Sequence, residues 1–127
     1  MGKEQYQKIT LEALIAKKEQ SKLAKAGRKT ITLFVQSLGG TIVVQQPDIS
    51  TTQDALKMDD DGDAYLVYQC CIDPLLKDAQ LREDGDDPFG LVYSLFLPGE
   101  ITAIASECLK LAGYDPAAVN VVEAVKN

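Results

Sequence analysis

The sequence predicts an α+β fold that is mostly helical: an N-terminal helix, one β-hairpin over about 30–46, and four to six short helices in a compact C-terminal bundle. Two observations carry this. The hydrophobic period changes from helical to alternating at Thr30 and does not return to helical until after Pro47. Beyond Pro47, three Asp-Pro pairs and a Pro-Gly-Glu start punctuate the chain at helix-like intervals. At 127 residues the chain fits one domain, 1–127, large enough to bury a core without covalent staples.

The first helix opens at Thr10, whose hydroxyl can cap it, and Gly27 is placed to end it. Leu11, Leu14 and Ile15 share one face, and lysines and glutamates fill the others. Next, residues 30–35 (TITLFV) alternate and are rich in β-branched side chains, as are residues 41–44 (TIVV). The Gly39-Gly40 pair between them reads as a hairpin turn in which glycine supplies φ > 0. Pro47 ends the second strand.

Only helices are expected after that. Ser50 and Gln53 fit a capping box, which starts a short helix near Thr51. Residues 64–72 suit helix or strand, and helix is favoured because Leu66, Val67, Cys70 and Cys71 fall together on one face. Asp73-Pro74, Asp87-Pro88 and Asp115-Pro116 each place an N-cap carboxylate before a proline at the first helical position. The third of these should open a last helix with Val119 and Val122 turned inward. The best-specified element runs from Pro98 to Gly113. Glu100 stands in its first turn, Ile101, Ile104, Ala105, Cys108, Leu111 and Ala112 form its stripe, and Gly113 ends it.

Charge divides the chain. Residues 1–29 hold eight basic and three acidic side chains, a balance of +5; residues 30–127 hold five and sixteen, a balance of −11. A basic helical head followed by an acidic globular body is the expected organisation, the head being either an ordinary surface helix packed on the body or a mobile arm that grips a helical partner. The acidic body repels phosphate, so nucleic acid is not an expected partner. Apolar runs fall far short of the ~20 residues that span a bilayer, so no membrane is expected either. No apolar segment follows the charged start, and the three cysteines are odd in number with two adjacent. Both features suit buried, reduced thiols in a cytoplasmic protein.

Catalytic chemistry is sparse. The chain has no histidine, which removes Ser-His-Asp and Cys-His catalysis and His-ligated zinc. Residues 59–63 (DDDGD) fail as a calcium loop, because with Gly62 at position six the first and twelfth positions are Lys57 and Tyr68. The cluster around Gly85 fails as well, with Arg82 at position three. Both read as solvated turns. Residues 38–41 (LGGT) lack the spacing and the Lys-Ser/Thr of a phosphate loop. No catalytic residue, cofactor or metal ligand is therefore assigned. Binding is the favoured role, with Leu11, Leu14 and Ile15 on the arm as the candidate contacts for a helical partner.

Several blocks, in order, resemble the XkdN-like phage tail assembly chaperones. They are residues 8–20 (KITLEALIAKKEQ), 38–47 (LGGTIVVQQP), 66–70 (LVYQC) with 75–78 (LLKD), 97–101 (LPGEI) running to 111–114 (LAGY), and 122–127 (VEAVKN). The resemblance implies a non-enzymatic protein of a contractile-tailed phage or prophage, acting in the host bacterial cytoplasm. Its implied partner is the tape measure protein, which it would keep soluble during tail tube assembly. The tail tube protein is a further implied partner, and homo-oligomers are compatible with such a role. The competing expectation is a structural component of a phage tail or tail-like particle, associated with the tube or baseplate.

Overall fold

The computed structural model describes residues 7–23 (side chains to Ser21), 28–81 and 87–123. The expected helix stop at Gly27, the acidic cluster around Gly85 and the closing residues 124–127 lie outside them. Helix α1 (Leu11–Leu23) leads into strands β1 (Thr30–Val35) and β2 (Gly40–Gln45). These are followed by α2 (Ile49–Lys57), α3 (Gly62–Cys70), β3 (Cys71–Asp73), α4 (Pro88–Leu95) and α5 (Pro98–Leu111). The fold is thus mixed α+β and mostly helical, as the sequence predicts.

The hairpin forms where the alternation places it. β1 and β2 pair antiparallel from Thr30 with Gln45 to Val35 with Gly40. A short 3-10 turn, Gln36–Leu38, joins them, and Gly39 closes it in the left-handed region at φ 64°. Ile31, Leu33 and Val35 of β1 face the same side as Val44 and Ile42 of β2, and this side packs on the helices.

The expectation of helices alone after Pro47 is overturned by β3. Cys71–Asp73 pairs antiparallel with β2 through Val43 and Val44, with an irregularity between those two residues, giving a three-stranded sheet ordered β1-β2-β3. Three residues are too few for a period to show in sequence, and their partner lies almost thirty positions earlier. The ambiguous segment 64–72 is in fact both elements: helix to Cys70, then strand. α3 is buried on most sides, with Ala64, Leu66, Val67, Tyr68 and Cys70 all in the core. A helix covered all round has no polar face, which is why its pattern could not be told from a buried strand. Gly62 opens α3 against α2: a Cβ there would stand 2.4 Å from the Ala55 carbonyl oxygen.

Three further expectations are corrected. α2 starts two residues earlier than Thr51, because Asp48 is its cap: the carboxylate accepts from the Thr51 amide at 2.7 Å, and the carbonyl from the buried Thr52 hydroxyl at 2.9 Å. Asp73-Pro74 opens no helix. Asp73 is already paired with Val43 in β3, and its peptide bond to Pro74 is cis. Asp115-Pro116 opens only a 3-10 turn, Pro116–Ala118, although Asp115 does cap it, accepting from Ala117 at 2.9 Å. Beyond the turn Val119 is extended, and Val119 and Val122 are 85% and 65% exposed instead of facing inward. The β-branched run resists helix, and nothing among the described residues covers it.

Asp87-Pro88 and Pro98 behave as the sequence predicts. Asp87 accepts from Phe89 at 3.1 Å at the start of α4. α5 buries Ile101, Ile104, Ala105 and Cys108 and half-buries Leu111 and Ala112. It ends in a Schellman motif: Tyr114 donates to the Leu109 carbonyl and Gly113, at φ 89°, to that of Lys110. The core is a single cluster built from the inner face of the sheet, α3 at the centre, and the facing sides of α4 and α5.

Candidate partner-binding surfaces

α1 is capped by Thr10, whose hydroxyl accepts from Ala13 at 3.1 Å. Every residue from Gln7 to Ser21 is exposed. Leu11, Leu14 and Ile15, the three arm residues singled out from sequence, are 69%, 56% and 53% exposed and lie within about 100° of one another around the helix. Ile9, also exposed, stands just before the cap. The structure therefore brings the predicted contacts together on one face, and that face packs on none of the core.

A second surface escaped the sequence reading. Phe34, Val35 and Gln36 at the end of β1, with Glu100, Ala103 and Ile104 of α5, line a groove of about 160 Å³. Its geometry is set by one carboxylate. Glu100 Oε2 accepts from the Ser37 amide at 3.0 Å, and Oε1 accepts from the Ser37 hydroxyl at 2.7 Å and from the Leu97 amide at 3.0 Å. The Leu97 bond anchors an otherwise unsatisfied donor before the helix, and the Ser37 bonds tie the hairpin turn to the start of α5. These contacts, the Ser37 hydroxyl first, hold the Glu100 carboxyl below its ordinary pKa. Phe34 is 63% exposed at the rim. The signal for this groove in the sequence was confined to Glu100 three residues beyond Leu97. Ser37, sixty-three positions away, could not be connected to it.

A third hollow, of about 150 Å³, is polar and is lined in part by Arg28, Asp48, Gln69 and Lys77. Arg28 and Asp48 pair at 3.3 Å, and Lys77 donates to Gln69. Asp48 is held below its usual range, chiefly by the Thr51 amide. Cys70 also borders this hollow, but all three cysteines are free and buried, as the sequence suggested. The interaction between the Cys70 and Cys108 thiols lowers Cys70 and raises Cys108; burial pushes Cys71 up to about 11. Raised pKa values at Cys71 and Cys108, and the burial of all three thiols, make them poor nucleophiles. Among the described residues, no group of three or more Cys, Asp or Glu side chains is placed to hold a metal ion.

The acidic residues 59–61 form part of a turn. Tyr93 of α4 donates to Asp61 at 2.9 Å and to the Asp60 carbonyl at 3.3 Å, which pins that turn to α4. No single helix among the described residues is long and apolar enough to cross a membrane.

Comparison with known proteins gives the family of the chain. The model of one family, the phage XkdN-like tail assembly chaperone protein, matches residues 11–126. The chain belongs to this family. No curated protein and no solved structure matches it. The match takes in α1, the hairpin and the groove. This family is not a known class of enzyme.

Proposed function

We propose that this tail assembly chaperone binds the tape measure protein in the cytoplasm of the host bacterium and keeps it soluble until the tail tube forms around it. The observation that carries this reading is the exposed apolar face of α1. Leu11, Leu14 and Ile15 stand free of the core in the first turns of a capped helix, as a short apolar patch on which a second helix can dock. A long helical partner with apolar stripes supplies the complementary surface. The body, at −11 over residues 30–127, then surrounds each bound site with like charge and opposes association between coated partners. No step of this role needs a nucleophile, a metal or a cofactor.

Co-expression with the tape measure protein of the same tail tests it. The expected result is a soluble complex that co-purifies, and a tape measure protein that precipitates when expressed alone. Recovery of this chain as a stoichiometric part of purified tails, with no effect on tape measure solubility, would instead make it a structural component.

A further inference from the structure

We infer that the outer edge of β1 is a self-association surface, on which a second copy of this chain pairs its own β1 antiparallel about a two-fold axis centred on Thr32.

The free edge follows from the hairpin's hydrogen bonds. Gln46 donates to the Lys29 carbonyl at 2.7 Å, so Lys29 and Gln46 are a hydrogen-bonded pair. Antiparallel pairs alternate, so Ile31, Leu33 and Val35 aim their backbone groups at β2, and Thr30, Thr32 and Phe34 aim theirs away from it. β1 is the terminal strand of the sheet, and among the described residues no backbone group pairs with that outer side. The strand carries none of the usual protection. TITLFV has no charge and no proline, and the one irregularity in the sheet lies between β2 and β3.

The edge is self-complementary. Setting Thr32 opposite Thr32 of the second copy puts Thr30 opposite Phe34 and Phe34 opposite Thr30. All three outward residues of both strands are then used, and shifting the centre to Ile31 or Leu33 would use only two. Three such pairs, each exchanging two bonds, give about six N–H···O bonds. On the outer face each exposed Phe34 ring covers the partner copy's Thr30. On the inner face Ile31 meets Leu33 across the axis, covering two side chains that the monomer leaves half-buried.

A local charge pair, set against the like net charge of the two chains, suits the same occupant. In this register Lys29 of the second copy falls opposite Val35, on the side of the sheet that α5 covers. That is the groove lined by Val35, Ala103, Ile104 and Glu100. Its apolar walls suit a lysine stem and its one carboxylate suits the ammonium group. The two-fold repeats the contact at the other end and keeps the two Lys29 side chains apart by about six residues of strand, roughly 20 Å.

The mass of the full chain in solution, measured by light scattering against concentration, tests the pairing, and engineered disulfides test the register. A hydrogen-bonded antiparallel pair holds its Cα atoms about 5.5 Å apart, within disulfide range. Thr32→Cys should therefore cross-link to a dimer under mild oxidation. Thr30→Cys should not, unless mixed with Phe34→Cys. Lys29→Glu should weaken the dimer at least tenfold, and Thr32→Pro, which removes an amide the monomer does not use, should leave a folded monomer. A chain that is monomeric at every concentration, or a dimer in which Thr32→Cys fails to cross-link or Thr30→Cys alone cross-links as readily, would overturn the inference. If Thr32→Pro does not fold, the cross-linking pattern and Lys29→Glu decide.

Discussion

Ser37 and Glu100, 63 residues apart, are joined twice: the Ser37 hydroxyl and amide both donate to the one carboxylate, at 2.7 and 3.0 Å. The same carboxylate accepts from Leu97 at 3.0 Å, so one side chain closes the hairpin turn onto the start of α5. Its pKa is lowered, with the Ser37 hydroxyl as the largest cause. A carboxyl with a depressed folded pKa contributes stability that is present above its ordinary value and is lost as pH falls. Glu100→Gln should therefore melt a few degrees below the wild type at pH 7. As pH falls below about 4.5 the wild type should progressively lose this advantage and the two melting curves should converge. Thermal melts of both proteins across that range check it.

Gly62 gives a packing prediction. The Ala55 carbonyl oxygen stands 2.4 Å from where a Cβ would be, and it is backbone, so α2 and α3 must separate to admit a methyl group. Gly62→Ala should cost about 1–3 kcal/mol. Gly99→Ala is the control. That site, in the first turn of α5, has nothing within 4 Å, and the change should be neutral or stabilise by up to about 1 kcal/mol. Urea denaturation with matched m-values measures both.

The elements that sequence made legible are those whose causes are local. The hairpin was carried by alternation around Gly39-Gly40, α4 by Asp87-Pro88, and α5 by Pro98, its stripe and Gly113. Each is decided within a few residues by backbone sterics, capping or one amphipathic face. What stayed hidden is non-local. β3 exists because Val43 and Val44 offer an edge, and the groove needs Ser37 beside Glu100. The start of α2 is a different kind of miss, a local choice between two capping residues that Asp48 wins over Ser50. Asp115-Pro116 shows the converse: the local cap forms as expected, but with no tertiary surface to cover Val119 and Val122 the helix does not continue. Leu11, Leu14 and Ile15 can be grouped from helical spacing alone, because that spacing shows whether or not the face packs.

The buried thiols yield a reactivity prediction. Cys70, Cys71 and Cys108 are all covered, and burial pushes Cys71 up to about 11. A disulfide reagent such as DTNB attacks only exposed thiolates. At pH 8 the folded chain should react at least about a hundredfold more slowly than the unfolded one, the factor set by an opening of about 3 kcal/mol. All three thiols should appear at once in 8 M urea, a reagent concentration chosen to unfold the chain (about twice a typical midpoint). A fast single-thiol phase before unfolding would show that one of the sites is open.

The arm separates folding from binding, because α1 contributes nothing to the core. Leu14→Asp with Ile15→Asp places two charges on a face that is already more than half exposed. Surface changes of this kind alter stability by no more than about 0.5 kcal/mol each, so the melting temperature of the chain alone should scarcely move. If the tape measure protein docks on this face, the same pair removes two apolar contacts at the centre of the interface. Truncated contacts of that sort cost about 1–2 kcal/mol apiece, so affinity should fall at least about tenfold. Co-purification should drop with it, and the tape measure protein should return to the insoluble fraction. Lys17→Glu, on the flank of the helix, should weaken capture far less. An arm variant that still solubilises its partner would move the binding surface from α1 to the body.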